Sequence, residues 1–389
     1  MTGAERQIHQ VDPTIGDQVS DALYAASLET YDNRPGLVRD VGGGFSGFKT
    51  IPLRNLPNPL DLEDLFGFDG VGTKVEIAER LQDYTTVAYD LFAMVCDDGV
   101  VRGGEPVAVG SVLDVSQLRY KDDEEATERV ALGIGQLSAG YKDAAQAAGV
   151  VIINGETAEL GDRVKGWNEI KGLNFNWAAA VKSYVHTKRS LTGETLKPGQ
   201  VIVGLEEPGF RSNGITDVRA TLEAKHGPEW HNVVVPELGD LSLGQLVLRP
   251  SVIYTRIITA LTGGMDYSKA PLANIFGVAH ITGGGQPGKI GRMLRGTGVG
   301  AVIDHPFAPP LAMLYVQEAA KMSDKKAYTR WHMGPGMVVV TDEAGVQVVQ
   351  EEAAKLGVQA KAIGHTCMGE SIQIRNKGYY ESNPARWLH

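Results

Sequence analysis

The sequence predicts an α/β (α+β) protein built as two domains. Three observations carry the prediction. The chain has 389 residues, more than one hydrophobic core ordinarily organises. Short apolar runs of strand length alternate with segments whose apolar residues recur at helical spacing. Its 48 glycines gather in short runs, several of them at the ends of those strands, which suggests backbone loops shaped around a ligand.

Composition narrows the class. Apolar residues at 43% suffice for sizeable cores, and 22% charged with 7% aromatic residues fit a cytoplasmic enzyme rather than a disordered or fibrous chain. The net charge of −10 argues against nucleic acid or an anionic membrane surface as partner. A phosphorylated substrate therefore needs local cations or a metal. The two cysteines, Cys96 and Cys367, are far apart and show no metal-type spacing, so a disulfide scaffold is excluded and a reducing compartment fits. The first residues lack the apolar segment of a signal peptide, and no apolar run approaches membrane-spanning length. The expected location is the cytoplasm.

Residues 1–40 are polar and read as irregular or partly helical. In VGGGFSGFKTIPL, 41–53, Gly42, Gly44 and Gly47 satisfy G-x-G-x-x-G, but they precede the expected strand 48–53 instead of following one. The loop is either a plain connector or a flap over a phosphate. FGFDGVGTK, 66–74, reads as the centre of the site. Gly70 and Gly72 let backbone N–H groups approach an anion, Asp69 suits a divalent cation, Thr73 adds a hydroxyl and Lys74 an amine for phosphate. The plainer alternative is a tight turn between a strand and the helix 75–82.

A helix over 86–101 places Val87, Leu91, Met94 and Val101 on one face. Asp98 falls in the middle of that face, with Asp90 and Asp97 along its edge. A buried carboxylate needs a partner, so Asp98 either caps a helix, pairs with Arg102 or shares a magnesium ion with Asp69, and the metal is the favoured reading. A strand over 107–115 and a helix over 122–148 follow. The strand 150–154 runs into Gly155, Glu156 and Thr157, which repeat the pattern of glycine, acid and hydroxyl; a helix N-cap is the alternative. A further strand spans 174–183.

The character of the chain changes over 186–198, which divides it into an ATP-binding and dimerisation domain, 1–185, a second domain, 186–375, and a tail, 376–389. The second domain opens with a strand at 200–205 and the turn GFRSNG, 209–214. There Ser212 is expected to cap a helix over 213–224, and Arg211 is either a phosphate anchor or a solvated side chain. A helix at 250–261 and a strand at 277–282 lead to GGGQPGK. Ile290 stands where a P-loop needs a hydroxyl and Pro287 removes a donor, which leaves only an anion-binding helix N-terminus. His280 just before it is a ligand contact or a structural histidine. Strands at 300–304, 337–341 and 360–364 alternate with helices at 311–322 and 343–356, and the tail reads as loosely packed.

FDGVGTK (68–74), YDLFAMVCDDGVVRGGEP (89–106), NGETAEL (154–160), GFRSNG (209–214), AHITGGG (279–285) and GPGMVVV (334–340) occur in this order. Together they resemble the aminoimidazole ribonucleotide synthetase, or phosphoribosylformylglycinamidine cyclo-ligase, family over roughly 41–365. The resemblance implies a two-domain fold whose N-terminal sheets pair into a barrel across a homodimer. It implies ATP and Mg2+, and phosphoryl activation of the formyl oxygen of a phosphoribosyl substrate before ring closure. It places the metal on Asp69 and Asp98 with Glu156 as a third acid. Gly70, Gly72, Thr73 and Lys74 would line the phosphates beside Asp90, Gly155 and Thr157, with Gly42, Gly44 and Gly47 closing over them. Ser212, Asn213, His280, Thr282, Gly283 and Gly284 would face the substrate, and Asp98, Arg211 and Lys74 would act in catalysis.

Two departures stand out. Asp97 stands where the family usually has Asn, and Arg211 where it usually has His; arginine cannot serve as a base near neutral pH. They leave open a related phosphoryl-transfer enzyme with another acceptor, or a nucleotide-binding paralogue without catalysis. Clustered acids argue against the last.

Overall fold

The computed structural model describes residues 13–40, 49–167, 171–381 and 385–388, which form two mixed sheets, each carrying helices, and a small two-stranded antiparallel sheet. The N-terminal domain runs α1 (Pro13–Glu29), β1 (Arg39–Asp40), β2 (Lys49–Thr50), β3 (Leu62–Gly70), α2 (Val75–Leu81), α3 (Val87–Val100), β4 (Glu105–Val115), α4 (Glu124–Ala148), β5 (Val151–Glu159) and β6 (Phe175–His186). Its main sheet has the order β3-β6-β4-β5, antiparallel except for the β4–β5 pair that α4 connects. α4 starts at an Asp123 cap that accepts the Ala126 N–H, and it ends at Gly149 in a left-handed conformation. At Gly140 of α4, an added Cβ would strike the Thr85 carbonyl, so the segment leading into α3 rests on the α4 backbone only because glycine is there.

The C-terminal domain runs β7 (Val201–Glu206), α5 (Ile215–His226), α6 (Leu243–Leu248), α7 (Thr255–Thr262), β8 (Ile275–His280), α8 (Gly285–Leu294), β9 (Val299–Ile303), α9 (Leu311–Ala319), α10 (Asp324–Arg330), β10 (Pro335–Thr341), α11 (Glu343–Ala354), β11 (Ala360–Met368), β12 (Ser371–Ile374) and β13 (Ala385–Leu388). Its sheet order is β13-β12-β9-β11-β7-β10-β8, with only β12–β9 parallel. Every residue of β10 is buried, which is why that strand reads as a continuous apolar run.

α3 lies between the domains. It packs on β3, β4, β6 and α4 on one side and on α7 and β8 on the other. Being covered on both sides, it is apolar nearly all round, and this corrects the helical-wheel expectation. Asp90 and Asp97 are the fully buried acids, whereas the Asp98 side chain is 47% exposed.

Other expectations also change. FGFDG is the end of strand β3, and Gly155–Glu156–Thr157 continue β5 in parallel register with Ser111–Leu113, so neither is a free loop or a helix cap. The strand expected over 48–53 reduces to Lys49–Thr50. Ser212 does not cap α5, because Gly214 occupies the cap in a left-handed conformation. The helix expected from 250 begins at Thr255. The tail is packed: β13 pairs with β12, and buried Asn376 donates to Asp324 at 2.7 Å. Gly42, Gly44 and Gly47 lie outside the described residues.

Buried His332 joins two loops at the start of β10. Its Nε2–H donates to the Gly209 carbonyl at 2.7 Å, and its Nδ1 accepts the Gly334 N–H at 3.1 Å. Burial, with the nearby Arg211 charge, pushes its pKa down to about 3 from 6.5. Between those values the unfolded chain binds a proton that the native state refuses, so this histidine lowers stability as pH falls below 6.5. The effect reaches about 1.4 kcal/mol per pH unit. Urea unfolding from pH 7.5 to 4.5 checks it: His332→Gln should have the flatter acid limb, and parallel limbs would exclude this origin.

Candidate functional site

The site forms where α3 meets the ends of β8 and α8. Asp98 reaches outward from the last turn of α3, and His280 ends β8 at a distance of 2.7 Å from Nδ1 to Asp98 Oδ1. Beyond His280 the chain turns through Gly284 and Gly285, both at positive φ, and enters α8. One turn into that helix stands Lys289, and Arg292 follows at i+3, on the same side. Together with Arg102, these residues line a cavity of about 180 Å³ whose other wall is apolar, from Leu196, Phe276 and Met293.

The electrostatics are uneven. Burial works against the charge on Asp98, but the His280 hydrogen bond and the cations of Lys289 and Arg292 outweigh it and hold its pKa below the usual carboxylate value. Burial raises the pKa of Asp69 and the nearby Asp98 adds to that, opposed by the Gly70 N–H bond and by Lys289. Burial and neighbouring Arg292 lower the pKa of Lys289, against the pull of Asp98 and Asp69.

Asp69 borders a different hollow, a shallow groove of about 480 Å³ on the uncovered face of the N-terminal sheet. Phe68, Gly155 and Glu156 line it too. Asp69 therefore stands between the groove and the interdomain cavity, within electrostatic reach of Asp98, while Glu156 is on β5 across the sheet. Among the described residues no three His, Cys, Asp or Glu side chains converge as a metal-holding group, so the expected set of Asp69, Asp98 and Glu156 is not assembled in this chain.

Lys74 does not face either hollow. It is fully buried, and its ammonium donates to Asp90 Oδ1 at 2.8 Å and to the carbonyls of Phe210 and Arg249, both at 2.7 Å. These three bonds use all of its N–H groups. Ser251 also donates to Asp90. Arg211 is likewise buried, not solvated. It pairs with Glu207 at 2.6 Å and Asp97 at 3.3 Å, and its Nη2 lies 2.6 Å from His280 Nε2.

The two C-terminal turns do come together. A Cβ built on Gly283 would lie 3.5 Å from the Asn213 amide, and Asn213 and Thr282 line the same small recess. Ser212 Oγ and Asn213 Oδ1 are buried without a protein partner among the described residues, two polar atoms positioned for a ligand or water. Thr73 is exposed, and its hydroxyl lies 3.2 Å from that of Thr216 across the domains. Gly72 has φ +66°, which favours glycine. Sequence reasoning missed Arg292 and Glu207, weighed Arg102 only as an ion-pair partner of Asp98, and read Lys289 only as part of the GGGQPGK turn. The i, i+3 spacing of Lys289 and Arg292 was the available signal.

Comparison with known proteins places these features. Residues 59–169 match the family described as AIR synthase related protein, N-terminal domain, and residues 197–376 match its C-terminal domain counterpart. A phosphoribosylformylglycinamidine cyclo-ligase of Thermoplasma acidophilum is 32% identical over 326 residues, 81% of this chain and 84% of that protein. The hydrogenase maturation protein HypE of E. coli has a similar fold, with a TM-score of 0.58 at 14% identity over 95% of this chain and 96% of its own. A HypE structure in complex with ATP has a TM-score of 0.53 at 10% identity, covering 84% of each chain.

The burial of Lys74 separates two roles. Lys74→Met leaves the Asp90 charge with the Ser251 hydroxyl but no cation, and two carbonyls without their donor, and should cost about 3–5 kcal/mol in urea unfolding. A variant of native stability that has lost nucleotide affinity would return Lys74 to the phosphates.

Proposed function

We infer the function of this chain from one premise: it belongs to the AIR synthase related family, whose N-terminal and C-terminal domains it carries in order. The reading that the site supports best is an ATP-dependent cyclo-ligase of purine biosynthesis, working in the cytoplasm. It would convert formylglycinamidine ribonucleotide to aminoimidazole ribonucleotide. The carrying observation is the interdomain cavity, where Lys289, Arg292 and Arg102 gather beside Asp98 in a chain of net charge −10. A phosphorylated substrate needs such local cations to approach an acidic protein.

ATP is assigned to the groove bordered by Asp69, Gly155 and Glu156, flanked by Gly70, Gly72, Thr73 and Thr157. The HypE complex with ATP supplies a precedent of fold alone. Asp69 and Asp98 fit a magnesium ion. Each has one carboxylate oxygen held by the protein, by Gly70 N–H and His280 respectively, and the other without a partner among the described residues. Magnesium favours one or two carboxylates plus phosphate oxygens and water. When bound, it would neutralise charge on the nucleotide phosphates.

In the reaction the γ-phosphoryl group passes from ATP to the formyl oxygen and ADP departs. A nitrogen of the same substrate then closes on that carbon, and the oxygen leaves with inorganic phosphate. The protein's part is positioning and charge neutralisation. Lys289 and Arg292 hold a phosphate, Asn213 and the 282–284 turn orient the substrate, and Lys74 and Arg211 fix the frame from behind.

The uncovered sheet face is the proposed homodimer surface. Phe66 and Phe68 stand 64% and 73% exposed on it, with Val112 alongside. Light scattering checks this, and a monomer at micromolar concentration would exclude it. One observation favours a second reading, a related phosphoryl-transfer enzyme with another acceptor: Arg211 is buried and permanently charged where the family usually has a histidine.

Purified protein given ATP, magnesium and formylglycinamidine ribonucleotide should form ADP and aminoimidazole product in equal amounts. ADP formed only with a different acceptor would favour the second reading. Asp98→Asn should lower turnover at least ~100-fold, the scale of a lost charge-stabilising group. Its unfolding midpoint should be unchanged, because the side chain is half exposed; retained turnover would make Asp98 only a partner of His280.

A further inference from the structure

We propose that Arg211 is a positioning residue: from the C-terminal domain it holds the His280 ring in one tautomer and, through that ring, aims the Asp98 carboxylate into the interdomain cavity. A guanidinium carries only donors, so at 2.6 Å from Arg211 Nη2 the His280 Nε2 must accept. The ring hydrogen is then on Nδ1, and it donates to Asp98 Oδ1 at 2.7 Å. Both ring nitrogens are occupied. His280 is a strut between Arg211 and Asp98, not a free acid or base.

The strut is braced from both domains. Arg211 Nη1 donates to Glu207 and to the Val252 carbonyl, and Nη2 also reaches Asp97 of α3. Asp97 is held in turn by the Tyr254 N–H at 2.9 Å and the Thr255 hydroxyl at 3.0 Å. The charged groups facing the ring are Arg211, Asp97 at 4.0 Å, Asp98 and Lys289.

The same geometry joins the two departures noted in the sequence. Asp97 and Arg211 touch across the domain boundary, so both departures lie in one cluster of buried charges. Buried Arg211 faces two carboxylates, Glu207 at 2.6 Å and Asp97 at 3.3 Å, which together compensate a charge that would be strongly destabilising alone. Groups that orient a functional carboxylate or histidine commonly change affinity or rate by about 10–100-fold when removed. The catalytic consequence rests on the role proposed above for Asp98; the tautomer does not.

The test is a two-bond 1H–15N correlation spectrum of histidine-labelled protein at pH 7.5, with His280 identified among the nine histidines by the signals lost in His280→Gln. Wild type should show a single Nδ1–H tautomer at His280. Asp98→Asn should keep it, because Arg211 still donates to Nε2. Adding Asp97→Asn and Arg211→Met, which remove one charge of each sign, should release the ring to a mixture. An Nε2–H ring in wild type, or a mixture in Asp98→Asn alone, would overturn the proposal, as would a single Nδ1–H ring in the triple variant. If the triple variant does not fold, the first two spectra decide. The readout needs no turnover, so the proposed reaction and this assignment fail separately.

Discussion

Buried charge on α3 is the constraint from which the rest of the site follows. Asp90 and Asp97 lie fully buried about two helical turns apart on one side of α3, and each meets a cation: Lys74 for the first, Arg211 for the second. Isolated buried ions are too costly to keep, so these carboxylates require those cations, and the cations require the carbonyls of Phe210, Arg249 and Val252. Most of these contacts cross from one domain to the other. The pairs therefore fix how the domains dock, and docking creates the cavity beside Asp98.

The exposed end of the same helix does the opposite work. Asp98 remains half exposed and ionised because His280, Lys289 and Arg292 surround it, while Asp69 nearby is pushed toward protonation by burial. Two carboxylates in different environments, with Lys289 and Arg292 close by, make a site able to receive phosphate and a hard divalent ion.

Much of this was legible from the chain. The two-domain α+β architecture followed from alternating apolar periodicities, and the nearness of Asp69 and Asp98 was expected, whereas the contact between Asp98 and His280 was not. What the sequence hid was depth. A helical wheel assumes one buried face, but α3 is covered on two sides, so Asp98 was read as the buried acid and Asp97 as peripheral. GETAE reads as a turn because glycine and glutamate disfavour strands, yet β5 continues through it by pairing with β4. Lys74 and Arg211 look like phosphate ligands because flexible cations beside glycine usually are. Only long-range contacts, 16 residues away for Asp90 and 114 for Asp97, reveal them as internal ties.

The account stands most directly on the coupling between Asp97 and Arg211. A double-mutant cycle with Asp97→Asn and Arg211→Met, read by urea unfolding, measures that coupling without reference to activity. A paired, buried, cross-domain contact predicts that the double variant is more stable than the sum of the single losses by on the order of 2 kcal/mol. Additive losses, with an interaction energy near zero, would contradict it and leave the alignment of the site to other contacts.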